Sequence, residues 1–290
     1  MSKIDQIRLR ARVMADMMPF LRIFHDAVVL VKIGGSVMEV DSQLDLIMGD
    51  IAFMKLVGLK MVIVHGGGKA ISKAIKKMGG EPEFVDGQRV TDGMTMEVVR
   101  RTLNNVVNPH IVNRLMAQEV NARPLHGNWI FSARKITNPD RGYVGEIVSV
   151  DVRSVNEMLG AGVIPVVTPI STGVDDQHLY NVNADIAAAA LAKALKVRRF
   201  IVVSDMPGLM YDLSDSSTLL SHLHISSIAK LKKCGIISGG MIPKIDSCVD
   251  VLLNGVEKVH LVDGRVAHSL LLELFTKDGV GTEILSGTLL

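Results

Sequence analysis

The stretch from Met61 to Gly68, MVIVHGGG, constrains this chain more than any other. Met61 to Val64 is an apolar run of the kind that forms a buried strand, and it stops at His65 and three consecutive glycines. Beyond them Ala70, Ile71, Ala74, Ile75 and Met78 recur at helical spacing, so residues 69–78 are expected to be a helix. A strand, a glycine turn and a helix start together make an anion site. Glycines let backbone N–H groups approach a ligand, and the first helical turn supplies unpaired donors and positive potential. The alternative is a tight strand–helix connection with nothing bound. A Walker A loop is excluded, because Gly68-Lys69 is followed by Ala70 where that motif places Ser or Thr.

A chain of 290 residues has room for one large α/β domain or two lobes with a substantial core. The formal charge of +2 argues against nucleic acid or an acidic membrane surface as the main partner. Cys234 and Cys248 make no disulfide framework and suit a reducing cytoplasm. No apolar run approaches the ~20 residues needed to cross a bilayer.

At the start, Ile4, Ile7, Ala11, Met14, Met18 and Leu21 form one apolar stripe on a helix, and Pro19 is expected to kink or break it. The segment lacks the apolar core of a secretory signal, and Asp5 and Asp16 count against an organelle transit peptide. Residues 1–25 are therefore expected to be a partner-binding helix, ahead of packing on the chain's own domain. Ala27 to Val31 then reads as a buried strand running into Lys32-Ile33-Gly34-Gly35-Ser36, a second glycine turn with a cation before it. Asp41 or Ser42 is expected to cap a helix that Gly58 stops. Phe84 to Val90 reads as a hairpin turning at Asp86-Gly87, and residues 91–120 as helical with an interruption at Pro109. From Arg123 to Val150, short antiparallel strands are expected over the sheet's edge. Strands at 163–167, 200–203 and 259–262 alternate with helices at 186–195, 225–234 and 269–275, and Pro243 suits the first turn of a helix opening near Ser238. The expected fold is α/β, one open and mainly parallel sheet sandwiched by helices, in two halves with a seam near Asp185.

In such sheets ligands sit beyond the carboxyl ends of the strands. Lys32 with Gly34 and Gly35, the turn Gly66–Gly68, and Ser204-Asp205 all fall at such ends, while Lys244 sits at a glycine turn entering a helix. Two lysines beside glycine turns suit a polyphosphate, since amide donors hold phosphoryl oxygens and ammonium groups oppose growing negative charge. Other chemistries fail. There is no dinucleotide fingerprint, no zinc-ligand spacing, no GxSxG elbow, and neither cysteine has a setting that would mark a nucleophile.

Five motifs, KIGG (32–35), VHGGG (64–68), GQRVT (87–91), YNVNAD (180–185) and GGMIPK (239–244), resemble the amino-acid kinase family and, within it, the N-acetylglutamate kinases. The resemblance runs from about Ala27 to Leu285. It implies phosphoryl transfer from ATP, with Mg2+ carried by the nucleotide, to the side-chain carboxylate of N-acetyl-L-glutamate in arginine biosynthesis. By that likeness Lys32 and Lys244 stabilise the transferring group and Asp185 orients both. Gly34, Gly35 and Gly67 donate backbone N–H groups. Arg89, Asn181, Asn183 and Gly68 hold the acetylated amino acid, and Ser204 and Asp205 lie towards the nucleotide. Residues 26–184 would form the acyl-amino-acid lobe and 185–290 the ATP lobe.

The ends resemble the arginine-inhibited members, which have an extra N-terminal helix that joins dimers into a hexameric ring. Residues 18–24 and the run 263–282 carry that likeness, and it places Phe20, His268, Glu273 and Gly281 near a bound L-arginine. Glu273 would pair a guanidinium. Phe20 stands where the pattern usually has tyrosine, and Leu125 to Ala133 lacks the usual Ser-Gly-Lys-Asp-Gly turn. The expectation is a cytoplasmic homodimer or hexamer. Two rivals remain open: a sister kinase for an acetylated or carrier-linked aminoadipate, and a non-catalytic arginine-sensing homologue.

Overall fold

The structure, a computed structural model, describes residues 2–212, 214–239 and 241–287. Gly240 of the GGMIPK motif lies outside them. In chain order the first half comprises α1 (Lys3–Phe24), β1 (Val28–Ile33), α2 (Asp41–Leu56), β2 (Lys60–His65), α3 (Gly68–Lys77), β3 (Phe84–Val85), β4 (Gln88–Arg89), α4 (Gly93–Thr102), α5 (Asn108–Ala117), β5 (Ala122–Leu125), β6 (Phe131–Thr137) and β7 (Asp140–Val150). The second comprises α6 (Arg153–Gly160), β8 (Ile164–Val167), β9 (Ile170–Gly173), β10 (Leu179–Asn181), α7 (Ala184–Leu195), β11 (Arg199–Ser204), β12 (His222–His224), α8 (Ile225–Lys233), α9 (Met241–Leu253), β13 (Lys258–Asp263), α10 (Ser269–Phe275) and β14 (Thr282–Leu285).

Eight strands form one open sheet in the order β12-β14-β13-β11-β1-β2-β8-β5. All its pairs are parallel except β13 with β14. The central strands are continuous apolar runs because both their faces are covered. Leu30, Val62 and Val64 face a core shared with α7, α8 and α9, whereas Val29, Val31, Ile33, Met61 and Ile63 face one built with α2, α5 and α10. This alternation is the two-residue period of a strand, and it puts Lys32 on the opposite face of β1 from Val31 and Ile33.

Several expectations need correction. Helix α1 runs unbroken through Pro19 to Phe24. Asp41 is the first helical residue of α2 rather than its cap, and Val40 precedes it with no capping side chain. The break in the 91–120 helix lies just ahead of Pro109: Leu103–Val107 is a π-helical turn between α4 and α5. The region 123–150 divides. β5 extends the main sheet in parallel with β8, and only β6 and β7 pair antiparallel, closing a small barrel with β9 and β10. Among the described residues no helix is long and apolar enough to cross a membrane.

Helix α1 packs on the body only near its end. Phe24 is buried, Arg199 stacks over its ring at 5.2 Å, and Arg198 donates to the Ile23 carbonyl at 2.8 Å. Ile4, Ile7, Val13, Met14 and Met18 remain exposed.

Candidate active site

Lys32, the fifth residue of β1, is buried, and its Nζ lies 2.7 Å from Oδ1 of Asp185. Asp185 is held there by the start of α7. The Asn183 side chain caps that helix, accepting from the N–H groups of Asp185 at 2.8 Å and Ile186 at 3.3 Å. Alanines at 187, 188 and 189 let α7 lie close against the sheet, which brings its first turn up to β1.

A cavity of about 240 Å³ opens over this pair, lined by Lys32, Gly35, Gly67, Arg89, Asn181 and Asp185 among others. Its far wall is the β3–β4 hairpin. The Arg89 guanidinium is buried, stacks over Phe84 at 4.7 Å, and donates from one nitrogen to the Gly68 carbonyl and to Ser72 Oγ, both at 2.8 Å. Its other terminal nitrogen is buried without a partner. Asn181 donates to Thr91 Oγ1 at 3.2 Å, and that hydroxyl donates to the Arg89 carbonyl at 3.0 Å. Thr91, which no sequence signal sets apart, thus ties Asn181 to Arg89.

A second cavity, about 730 Å³, lies beyond β11 and is lined by Met206, Leu209, Met210, Tyr211, Met241 and Lys244. A third, about 480 Å³, contains Asn183, Asp185, Gly239, Lys244 and Ser247. The first and third share Asp185, and the third and second share Lys244. The three spaces thereby adjoin as a trough from Arg89, past Lys32 and Asp185, to Lys244 and the methionine-lined end, although Lys32 lines only the first and Lys244 only the other two. Burial lowers the proton affinity of Lys244, Asp185 opposes that, and Lys32 adds to it, as expected for two ammonium groups facing one carboxylate. Ser204 ends β11 and accepts from the Met206 N–H at 3.3 Å, while Asp205 is exposed beside the trough.

Two expected contacts are altered. The Gly34 N–H donates to the Val203 carbonyl at 2.9 Å, so it is spent within the sheet and is not free for a phosphate. Asn183 lines the cavity, but its side-chain oxygen is engaged as the helix cap.

The residues expected near arginine are only partly gathered. Phe20 and Glu273 line a separate cavity of about 280 Å³ with Arg199, His260 and Lys277. Glu273 accepts from His260 Nδ1 at 2.8 Å and from the N–H groups of Val280 and Gly281, both at 2.8 Å. Burial pushes its carboxyl up, but these donors outweigh it and hold the group below the usual range. Gly281 reaches the cavity only through Glu273. His268 lies elsewhere, its Nδ1 2.7 Å from Asp50.

Residues 27–263 match the amino acid kinase family. Acetylglutamate kinase of Thermoanaerobacter sp. (strain X514) is 41% identical over 278 residues, covering 95% of this chain and 93% of that one. Acetylglutamate kinase of Akkermansia muciniphila is 41% identical over 291 residues, covering 98% of each. Among solved structures, N-acetylglutamate synthase from Neisseria gonorrhoeae, complexed with coenzyme A and N-acetyl-glutamate, superposes with a TM-score of 0.85 at 24% identity. That likeness covers 96% of this chain and 64% of the synthase, and it concerns the fold. The motif-bearing trough and the near-full-length match to sequence relatives place this chain in the amino acid kinase family.

Proposed function

We propose that the chain is an acetylglutamate kinase, transferring the γ-phosphoryl group of ATP to the side-chain carboxylate of N-acetyl-L-glutamate in arginine biosynthesis. The observation that carries this is the run of adjoining cavities that links Lys32 and Asp185, at the arginine-lined end, to Lys244 at the methionine-lined end.

The acceptor carboxylate, of pKa about 4.3, is already ionised at neutral pH, so no general base is needed. One of its oxygens forms a bond to the γ-phosphorus while the bond from that phosphorus to the β,γ-bridging oxygen breaks, releasing ADP. The protein's task is to align two anions and neutralise their repulsion. Lys32 and Lys244 stabilise the transferring group, with Asp185 keeping both tips in place. The N–H groups of Gly35 and Gly67 face the phosphoryl oxygens. Arg89 holds the α-carboxylate with its planar fork, and Asn181 and Gly68 complete that end. Ser204 and Asp205 border the nucleotide. Magnesium arrives on the ATP phosphates, as is usual for an ion that keeps most of its water. Residues 26–184 form the acyl-amino-acid lobe and residues 185–290 the nucleotide lobe.

Helix α1 is the oligomerisation element, its exposed apolar stripe covered by a second copy, and the cavity at Phe20 and Glu273 is the regulatory arginine site. Glu273 already accepts from three donors there, which leaves its carboxylate about one further acceptor site for a guanidinium. The test is a hydroxylamine-trapped acyl-phosphate assay with ATP and N-acetylglutamate, repeated with N-acetylaminoadipate and with added arginine. Product from N-acetylglutamate supports the assignment. Preference for aminoadipate, or ATP binding without product, overturns it.

A further inference from the structure

We propose that His65 and Asn108 are positioning residues that fix the Gly66–Gly67 peptide so that its N–H, and not its carbonyl, faces the phosphoryl cavity. The inference rests on the kinase reading above and deepens it.

His65 ends β2 with no exposed surface. Its Nδ1 is 2.7 Å from the Gly66 carbonyl, and its Nε2 is 3.1 Å from Asn108 Nδ2. The proton positions follow from the partners. Asn108 Nδ2 also donates to the Val166 carbonyl at 2.8 Å, which accepts only, so this atom is the amide nitrogen. Nε2 must then accept, and Nδ1 carries the ring's one proton, which it donates to Gly66. A ring buried in this way stays neutral, as this bonding pattern requires.

The carbonyl of Gly66 and the N–H of Gly67 belong to one planar peptide and point in opposite directions. Anchoring the carbonyl on His65 therefore aims the N–H away from the ring, towards the cavity that Gly67 lines. Flanking glycines oppose a rotation of this peptide very little. Were it to flip, a carbonyl dipole would meet the phosphoryl group where a donor is required, turning attraction into repulsion.

The π-helical turn explains how two parts of the support reach one glycine. Leu103 and Val107, its first and last residues, pack on Gly67, where an added Cβ would stand 2.5 Å from Leu103 Cδ2 and 3.6 Å from Val107 Cγ2. The next residue is Asn108, under His65. Asn108 Oδ1 is buried without a partner, an unfavourable feature tolerated for what the amide nitrogen does.

The test compares His65→Asn with His65→Gln, because an Asn amide nitrogen can stand where Nδ1 stands and a Gln amide nitrogen where Nε2 stands. Steady-state constants and melting temperatures are measured for both, for Asn108→Ala, and for the wild type. Both His65 variants are expected to lose comparable thermal stability. His65→Gln is expected to lose about tenfold or more in kcat with the KM for N-acetylglutamate changed less than about twofold. His65→Asn should stay within about threefold of wild type, and Asn108→Ala should fall in kcat without a matching rise in KM. Equal kcat in the two His65 variants, or kcat losses that simply follow melting temperature, overturns the positioning role while leaving the kinase intact. A wild type that makes no acyl phosphate overturns the kinase reading, and this one with it.

Discussion

The ammonium group of Lys32 stands 2.7 Å from the carboxylate of Asp185, joining the end of β1 to the first turn of α7. Lys244, from α9, lines an adjoining cavity with Asp185 and is near enough to feel both that carboxylate and the Lys32 ammonium. One negative charge and two positive ones leave the trio with a net positive charge, and the carboxylate offsets part of the repulsion between the two ammonium groups. On the reading proposed above, that net charge would face a phosphoryl group that carries spread negative charge in transit.

Removal of either lysine is expected to cost transition-state stabilisation more than binding. Lys32→Ala and Lys244→Ala should each lower kcat by about 100-fold or more with smaller changes in KM. Asp185→Asn should also lower kcat, because Lys32 then loses its charged partner and Lys244 a nearby balancing charge. Steady-state kinetics on folded proteins decides this, and unchanged turnover in either lysine variant removes its assigned role.

Arg89 offers a second, separable measurement. Its guanidinium already spans the Gly68 carbonyl and Ser72, leaving one buried nitrogen unpartnered and turned to use. Lysine has no second nitrogen with which to hold a carboxylate while also satisfying these neighbours. Arg89→Lys should raise the KM for N-acetylglutamate by about tenfold, equivalent to roughly 1.4 kcal/mol, and leave that for ATP nearly unchanged. A change confined to ATP would mean the two ends of the trough have been exchanged.

The strand ends that carry Lys32, His65 and Ser204 were legible because strands buried on both faces are unbroken apolar runs that stop where the ligand space begins. The hairpin at Asp86-Gly87 was legible from its turn residues. The short strands β9, β10, β12 and β14 were not, since three or four residues carry too little alternation to register. Pro19 misled because its place in a largely exposed helix lets the chain continue through it. The π-helical turn has no signature of its own, and Pro109 drew attention one turn too late. The sequence shows His65 only as the end of a strand, for nothing local tells that Asn108, 43 positions away, lies beneath it.

Gly127 lies in the stretch from Leu125 to Ala133 that departs from the family's usual turn, and it has no room for a side chain. A Cβ there would stand 2.0 Å from the Thr168 carbonyl oxygen and 2.6 Å from that of Ile170, both backbone atoms. Its N–H donates to Thr168 Oγ1 at 3.0 Å, which fixes the close approach of the β5–β6 connection to the segment leading into β9. Gly127→Ala is therefore expected to destabilise the fold by about 3 kcal/mol or more, or to prevent folding. Denaturant unfolding or soluble yield checks this. A variant within about 0.5 kcal/mol of wild type would mean that this connection can shift freely.

Acid stability depends on the same buried histidine that supports the glycine turn. Burial pushes the His65 pKa down to about 4, the Gly66 contact opposing only in part, whereas an unfolded histidine titrates near 6.5. Between those values the unfolded chain binds a proton that the folded chain does not, so stability rises with pH across the window. The contribution is complete above about pH 6.5 and is lost as pH falls towards 4, in total about 3 kcal/mol. Replacing the ring by a group that does not titrate removes this term. His65→Asn should thus be less stable than wild type at pH 8, with the gap narrowing by about 3 kcal/mol on going to pH 4. Urea unfolding at several pH values measures the difference directly, and a gap that stays constant with pH would show that the imidazole titrates alike in the folded and unfolded chains.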